Sequence, residues 1–524
     1  MLQIQKKDIE ILKSGGDKKE FNELFNELQH KNNLNLISTE FFDQIKNVIS
    51  LIEEKGLLKG KGGEIMRFSV NHFIYCTSLA KVPYSDEYLQ NFLKVLEENS
   101  MHSKIEIQQS SVNAFSQFWA SYFNDEQDVS QNKRYIVSHI SKLIDRSVKD
   151  PNIDATRGCN MKFGGLSRSI LLLIQNSILK TVLSNMVPKD KPNDDAETRK
   201  YAVRSQIDMM ITLGFDSLDP LFIREAIEYM YRAIDDYALD KRGDVGSWVR
   251  EEAMRSLNML IYELFYKWSI ETRRSVVPDS EHQAFFIKYI GAILQQLMEK
   301  IDKIRQVAGQ ILQSFFKTFD SELFNFEEKD LLLVIFVFSD EGVEENTLDS
   351  AYLDNRGYLN AKFNYKPWRN PSFVFPQISQ LFESKNFAKS ILTGIVSSSG
   401  GLTESTLKSS LDVLIKHLSN LKGKSNELEN KSQFMKMFNQ IFNDNLKVER
   451  ITVPLMKTME SLLRTTYLSH EELDEDFFKL HELWVKEVSK KNFSNFCRFD
   501  KEHSKVSNMR RNIRGNAKSS SSKN

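Results

Sequence analysis

Three cysteines in 524 residues, Cys76, Cys159 and Cys497, form neither a CxxC pair nor an even-numbered framework. That excludes the disulfide scaffold of small secreted domains and predicts a reducing compartment. Only 10 prolines and 21 glycines punctuate the chain. This is too few for a turn-dense β architecture, so long helices joined by short turns are predicted. Net charge is also lacking, because 71 Lys+Arg balance 71 Asp+Glu. Without a global basic field, recruitment of nucleic acid or anionic lipid is not expected. The most conspicuous apolar run, Leu331 to Phe338, is far shorter than the roughly 20 residues of a membrane-spanning helix, and it reads as a buried segment. The first 20 residues are charged throughout and lack the apolar core of a signal peptide. Together these absences predict a cytoplasmic protein with no membrane span and no nucleic-acid partner.

What is present is helical periodicity. Apolar residues recur at helix spacing over Phe41 to Leu51, Phe92 to Leu96, Val112 to Phe123, Leu171 to Leu183, Ala226 to Tyr237 and Phe285 to Leu297. One local pattern repeats: Thr198-Arg199 with Ala202, Val249-Arg250 with Ala253, and Ile304-Arg305 with Ala308. An arginine followed three residues later by a small alanine suits a helix that packs closely on its neighbour, as in HEAT-type repeats. The predicted fold is therefore all-α, a HEAT/armadillo-like helical-repeat solenoid, with Val249, Ala253, Leu257, Ile304, Ala308 and Leu312 buried. The expected organisation is an N-terminal helical segment (1–50), helical repeats (51–338), an insertion loop (339–371), further repeats (372–497) and a basic tail (498–524) unable to fold alone. Polar connectors are expected at Pro188 to Asp195 and Lys422 to Ser432.

Acidic residues precede the three arginines, namely Asp195, Asp244 and Glu299. They could pair with an arginine of the neighbouring repeat to form a ladder, or all these charges could be solvated independently, where such pairs contribute little. Both readings stand at this point.

Patterns that suggest catalysis fail on inspection. Gly56 to Gly62 has three residues between its first glycines where a phosphate loop needs four, and Gly62 stands where that loop places Ser or Thr. His470-Glu471 and His481-Glu482 begin a zinc-protease pattern, but Asp474 and Val485 occupy the second ligand position, so both histidines are expected on the surface. Gly165 to Ser169 lacks the last glycine of a nucleophile elbow. No enzyme, cofactor or metal site is read here.

The densest motif runs from Ile234 to Met254, with Arg242-Gly243-Asp244-Val245-Gly246-Ser247-Trp248-Val249-Arg250 at its centre. Asp244 and Gly246 suit a helix start, and Val249, Ala253 and Leu257 then share one face. In the same order along the chain come Lys59 to Arg67, this motif, Trp368 with Pro371-Ser372, Phe375 to Ile378, Gly400 to Thr406, Asn445-Leu446 and Val453 to Leu455. This ordered set resembles the tubulin-specific chaperone cofactor D family from about Ile52 to about Leu463. Family members are generally much longer, so the resemblance implies a C-terminal half, with residues 326–366 as an enlarged insertion.

By that resemblance the chain would hold β-tubulin, assist assembly and disassembly of αβ-tubulin, and act with cofactors C and E to promote GTP hydrolysis by tubulin. An Arf-like small GTPase is a further implied partner, and association with the microtubule cytoskeleton is implied too. A general helical-repeat scaffold unrelated to tubulin is the alternative. Trp248 reads first as a residue packed between repeats and second as an aromatic anchor for a partner. Arg242, Asp244 and Arg250 divide in the same way, and Thr403 with Glu404 is read as a helix start or a contact point.

Overall fold

The computed structural model describes residues 47–82, 84–123, 132–189, 194–320, 323–337, 365–400, 404–423, 427–464 and 475–490. They form an all-α helical-repeat protein, and they fall into two compact units that divide at His282/Gln283.

The first unit contains α1 (Val48–Glu54), α2 (Gly63–Leu79), α3 (Asp86–Ser100), α4 (Ile105–Tyr122), α5 (Lys133–Lys149), α6 (Ile153–Phe163), α7 (Arg168–Asn185), α8 (Ala196–Leu213), α9 (Pro220–Ile234), α10 (Gly246–Tyr262) and α11 (Ile270–Val276). Between α9 and α10 lies a two-stranded hairpin, β1 (Leu239–Asp240) and β2 (Gly243–Asp244), antiparallel, with Leu239 opposite Asp244. The even-numbered helices form a row in which α2 packs on α4, α4 on α6, α6 on α8 and α8 on α10. The odd-numbered helices cover that row, α3 on α4, α5 on α6, α7 on α8 and α9 on α10. Two layers of helix pairs each burying the next are what a repeat array requires.

Local chemistry sets the boundaries. Asp219 accepts a hydrogen bond from the Leu221 amide while Pro220 occupies the first turn, a start signal for α9. Asp195 caps α8 by accepting from the Thr198 amide at 2.8 Å. The Pro188 to Asp195 connector, as far as it is described, thus ends in a cap. The residues expected to be buried are so: Val249, Ala253, Leu257, Ile304, Ala308 and Leu312 all lie in the core. Each fully buried Val, Leu or Ile among them is worth about 1.5–3 kcal/mol.

The second unit contains α12 (His282–Leu297), α13 (Asp302–Thr318), α14 (Lys329–Phe336), α15 (Pro371–Ile378), α16 (Ala388–Ser399), α17 (Glu404–Leu421), α18 (Glu427–Asp444), α19 (Glu449–Arg464) and α20 (Glu475–Lys490). Its centre is α16, buried from Ile391 to Ser399 and packed on α17, α18 and α19. Small side chains permit this. Ser398 Oγ donates to the Met298 carbonyl at 2.6 Å, and Ser399 Oγ bonds with Thr458.

Three readings need correction. The Lys422 to Ser432 connector is shorter than expected, because α18 begins at Glu427, where Glu427 accepts from the Gly423 amide at 2.6 Å. The apolar run 331–338 lies largely in α14, where Leu332, Ile335 and Phe336 are buried but Val334 is exposed, so it buries one face only. His481 is buried rather than on the surface, with its ring 6.3 Å from Trp484. His470 and the tail 498–524 lie outside the described residues, as do 338–364 of the insertion. No helix among the described residues is long and apolar enough to cross a membrane.

A buried polar cluster in the first unit makes stability sensitive to acid. His139 on α5 lies against Phe115 and Trp119 of α4, with Nε2 3.3 Å from Glu97 Oε1. Burial pushes its pKa down to about 4, against the pull of Glu97 and with the help of Lys162 and Lys142. The unfolded chain therefore binds a proton near pH 6.5 that the folded chain refuses. The stabilisation is complete above that pH and declines as pH falls toward the folded value. Between pH 6.5 and 5 the loss is at most about 2 kcal/mol. Urea midpoints measured across this range should fall steeply for the native chain and less steeply for His139→Gln, and parallel slopes would assign the acid sensitivity elsewhere.

Candidate functional site

The Ile234 to Met254 motif folds into a brace between the α8 and α10 repeats. Helix α9 ends at Ile234, so Asp236 and Tyr237 leave the helix and turn toward the hairpin. Gly243, at φ 102°, takes the left-handed turn position that an L side chain resists. Gly246 then starts α10 directly against Asp236, with its amide donating to the Ala238 carbonyl at 3.0 Å. A Cβ at Gly246 would stand 2.6 Å from the Ala238 nitrogen and 2.7 Å from Asp236 Oδ1, so no larger residue fits without displacing that loop.

Asp236, fully buried, is the keystone. Arg199 of α8 donates to its carboxylate through Nε at 2.7 Å and Nη2 at 3.2 Å. Arg250 of α10 donates through Nη1 to its backbone carbonyl at 2.7 Å. The Ala238 amide closes the set at 3.0 Å on Oδ1. Arg250 also makes a two-pronged pair with Asp244, at 3.1 and 3.0 Å, and its guanidinium lies 4.0 Å from the centre of the Tyr237 ring. Arg199 further bonds Asp194.

Burial pulls the Arg199 pKa down, but hydrogen bonds and charge from Asp236 and Asp194 outweigh this and the net shift is upward. Burial pushes the Asp194 carboxyl up, with Arg199 opposing. Arg305 in the second unit shows the other balance. Its donors go to the carbonyls of Glu299 at 2.7 Å and Arg369 at 2.9 Å and to Asp302. With a single carboxylate partner that is itself half exposed, burial wins and its pKa falls.

The expected ladder is thus real in kind and different in its partners. Arg199, Arg250 and Arg305 are buried, which rules out independently solvated charges. Yet Asp195 caps a helix, Asp244 pairs within its own repeat, and Glu299 offers its carbonyl to Arg305 while its carboxylate accepts from Ser397 at 3.2 Å. Asp236, which no spacing singled out, joins the repeats.

The brace leaves two of the candidate residues accessible. Arg242 is 44 % exposed and is held by Asp240 at 2.7 Å and Glu197 at 3.2 Å, with its guanidinium 4.8 Å from the centre of the Trp248 ring. Those Asp240 hydrogen bonds raise the Arg242 pKa, and the same bonds hold the Asp240 carboxyl down. Trp248 is half-buried, and Leu239 at the hairpin is 75 % exposed. Asp244 faces inward to Arg250, which is fully buried. Of the distant pair, Glu404 is exposed at the first position of α17 and Thr403 lies outside the described residues. Among the described residues no group of three or more His, Cys, Asp and Glu side chains could hold a metal ion.

A two-layer helical array whose buried arginines brace its repeats, with an exposed hairpin between α9 and α10, defines a helical-repeat protein. Residues 287–495 match the family model described as Tubulin folding cofactor D C terminal. Tubulin-specific chaperone D of Dictyostelium discoideum is 23% identical over 406 residues, covering 71% of this chain and 25% of that protein. The chain therefore spans about a quarter of the length of this curated relative. The resemblance to tubulin folding cofactor D read from the ordered motifs is shown by these matches. The brace at 234–254 lies outside the part that the family model covers.

Proposed function

We propose that the chain is a tubulin-folding cofactor of the cofactor D type. It holds β-tubulin, assists assembly and disassembly of αβ-tubulin, and promotes GTP hydrolysis by tubulin beside cofactors C and E, with an Arf-like small GTPase as a further partner. It does so as a binding protein and not as an enzyme. The match of residues 287–495 to the cofactor D C-terminal family carries this reading. A binder can shift tubulin toward one conformation only by its differential affinity for the two states, which suits a repeat array better than a catalytic pocket.

Within it, Arg242 at the hairpin turn, Trp248 and the exposed Leu239 form a contact point on tubulin, Asp244 and Arg250 hold that point in place, and Thr403 with Glu404 forms a second. Aromatic and arginine side chains presented on a rigid support are the usual hot spots of interfaces. The test is retention of purified αβ-tubulin on the immobilised chain. Native protein should retain it, and Arg242→Ala with Trp248→Ala should weaken binding about 30-fold, a hot-spot loss of about 2 kcal/mol. Equal binding by this double variant discards the hairpin contact, and no retention by the native chain discards the cofactor reading. Phosphate release from GTP should be absent with the chain alone and appear only with tubulin and both cofactors.

A further inference from the structure

In the first unit, α4, α6 and α8 each have a row neighbour on both sides, whereas α2 has one only on its α4 side among the described residues. Its inner face buries Val70, Ile74 and Ser78. Along the other face Ile65, Phe68, His72 and Cys76 follow at helical spacing, and all four are exposed. On that face Ile65 is 73 % and Phe68 39 % exposed, and in the residues just before α2 Leu51 (47 %) and Leu57 (43 %) are exposed as well. A helix apolar on two sides expects a partner on each. The neighbouring loop carries both signs: Lys55, Lys59 and Lys61 are exposed, and so are Glu54 and Glu64 on either side of them.

We propose that residues 20–28 of this same chain, EFNELFNEL, dock on that outer face of α2. Phe21, Leu24, Phe25 and Leu28 recur at i, i+3, i+4 and i+7, one apolar stripe, while Glu20, Glu23 and Glu27 supply three acids and the stretch holds no base. The stripe matches the apolar face, and the three glutamates have Lys55, Lys59 and Lys61 as available partners. Residues 29–46, themselves outside the described residues, connect the two over up to about 60 Å at full extension, at roughly 3.3 Å per residue. The tether makes this an intramolecular encounter at high effective concentration. The proposal is independent of the tubulin reading.

Hydrogen exchange read by mass spectrometry on the full chain tests it. Peptides covering 20–28 should exchange at least tenfold more slowly than the same free peptide. That protection should disappear in Ile65→Ser with Phe68→Ser, while α4 keeps its own protection and the molecular mass is unchanged. The reciprocal variant, Leu24→Ser with Phe25→Ser, should speed alkylation of Cys76 severalfold, a readout that stands even if the first variant unfolds locally. Free-peptide exchange of 20–28 in the native chain would overturn the proposal and leave the face open to another protein. Protection that survives both α2 substitutions would place the segment elsewhere, and protection that appears only in a dimer would make the occupant a second copy; either result overturns it.

Discussion

Asp236→Ala is expected to destabilise the first unit by about 3–5 kcal/mol, the loss seen when one member of a buried ion pair is removed. The size follows from what remains. Arg199 keeps its charge at any accessible pH, because a guanidinium does not deprotonate in proteins, and it would face a cavity in place of a carboxylate that now accepts at 2.7 and 3.2 Å. Asp194 offsets part of this loss as a second partner. Asp236→Asn should cost less, since the amide keeps one acceptor oxygen, although its NH2 replaces the other and faces an N–H donor of Arg199 or Ala238. Arg242→Ala is the internal control: its pairs are exposed, and such pairs are worth about 0.2–1 kcal/mol. Urea unfolding of the three variants should rank them in that order, with hydrogen exchange in α8 and α10 reporting where the loss falls. A cost for Asp236→Ala no greater than for Arg242→Ala would mean that the repeats are held by apolar packing alone.

Asp236 also marks where the sequence stopped being legible. The repeat architecture was readable because apolar period, a small alanine and an arginine recur together in Arg199-Ala202, Arg250-Ala253 and Arg305-Ala308, and each of these is a local pattern. The residue that joins two of those arginines, through its carboxylate to Arg199 and its backbone carbonyl to Arg250, lies 37 residues from Arg199 and 14 from Arg250. No fixed spacing announces it, because the partner is set by how one helix pair stacks on the next. Glu299 misled for the converse reason, since an acid a few residues before an arginine also serves as a turn residue, while Asp195 caps α8 and lies 4.0 Å from Arg242 of the next repeat rather than from one of the three repeat arginines. Of the candidate site, the motif at 242–250 was legible as a unit. Its division into a buried brace (Asp244, Arg250) and an accessible pair (Arg242, Trp248) depends on which way α10 faces, and that is tertiary. His481 was misplaced because a helical histidine beside Glu482 reads as surface until Trp484 is seen to cover it.

The second unit has a keystone of its own, and here the expected effects invert on combination. Trp368 lies buried over α13, with Nε1 donating to Gln313 Oε1 at 2.7 Å and its ring 5.1 Å from Phe336 and 5.6 Å from Phe373. It can do so because residue 309 is glycine, where a Cβ would stand 2.6 Å from Trp368 Cδ2. Trp368→Gly should cost at least about 3–5 kcal/mol, the range for emptying a buried tryptophan site. Gly309→Ala in the native chain gains about 1 kcal/mol of helix propensity but must push the indole off its seat and break the Gln313 bond. Overpacking of this kind costs about 1–3 kcal/mol, so the net change is a loss of up to about 2 kcal/mol. In a Trp368→Gly background, which removes the Cβ of residue 368 as well as the indole, the obstruction is gone, and the same Gly309→Ala substitution should become stabilising by up to about 1 kcal/mol. The reversal of sign is the signature, since contacting residues are where additivity fails. Unfolding midpoints of the four proteins in this cycle decide the matter. If Gly309→Ala has the same effect with and without the indole, Trp368 does not rest on α13, and the seating of residues 365–370 against the second unit must be redrawn.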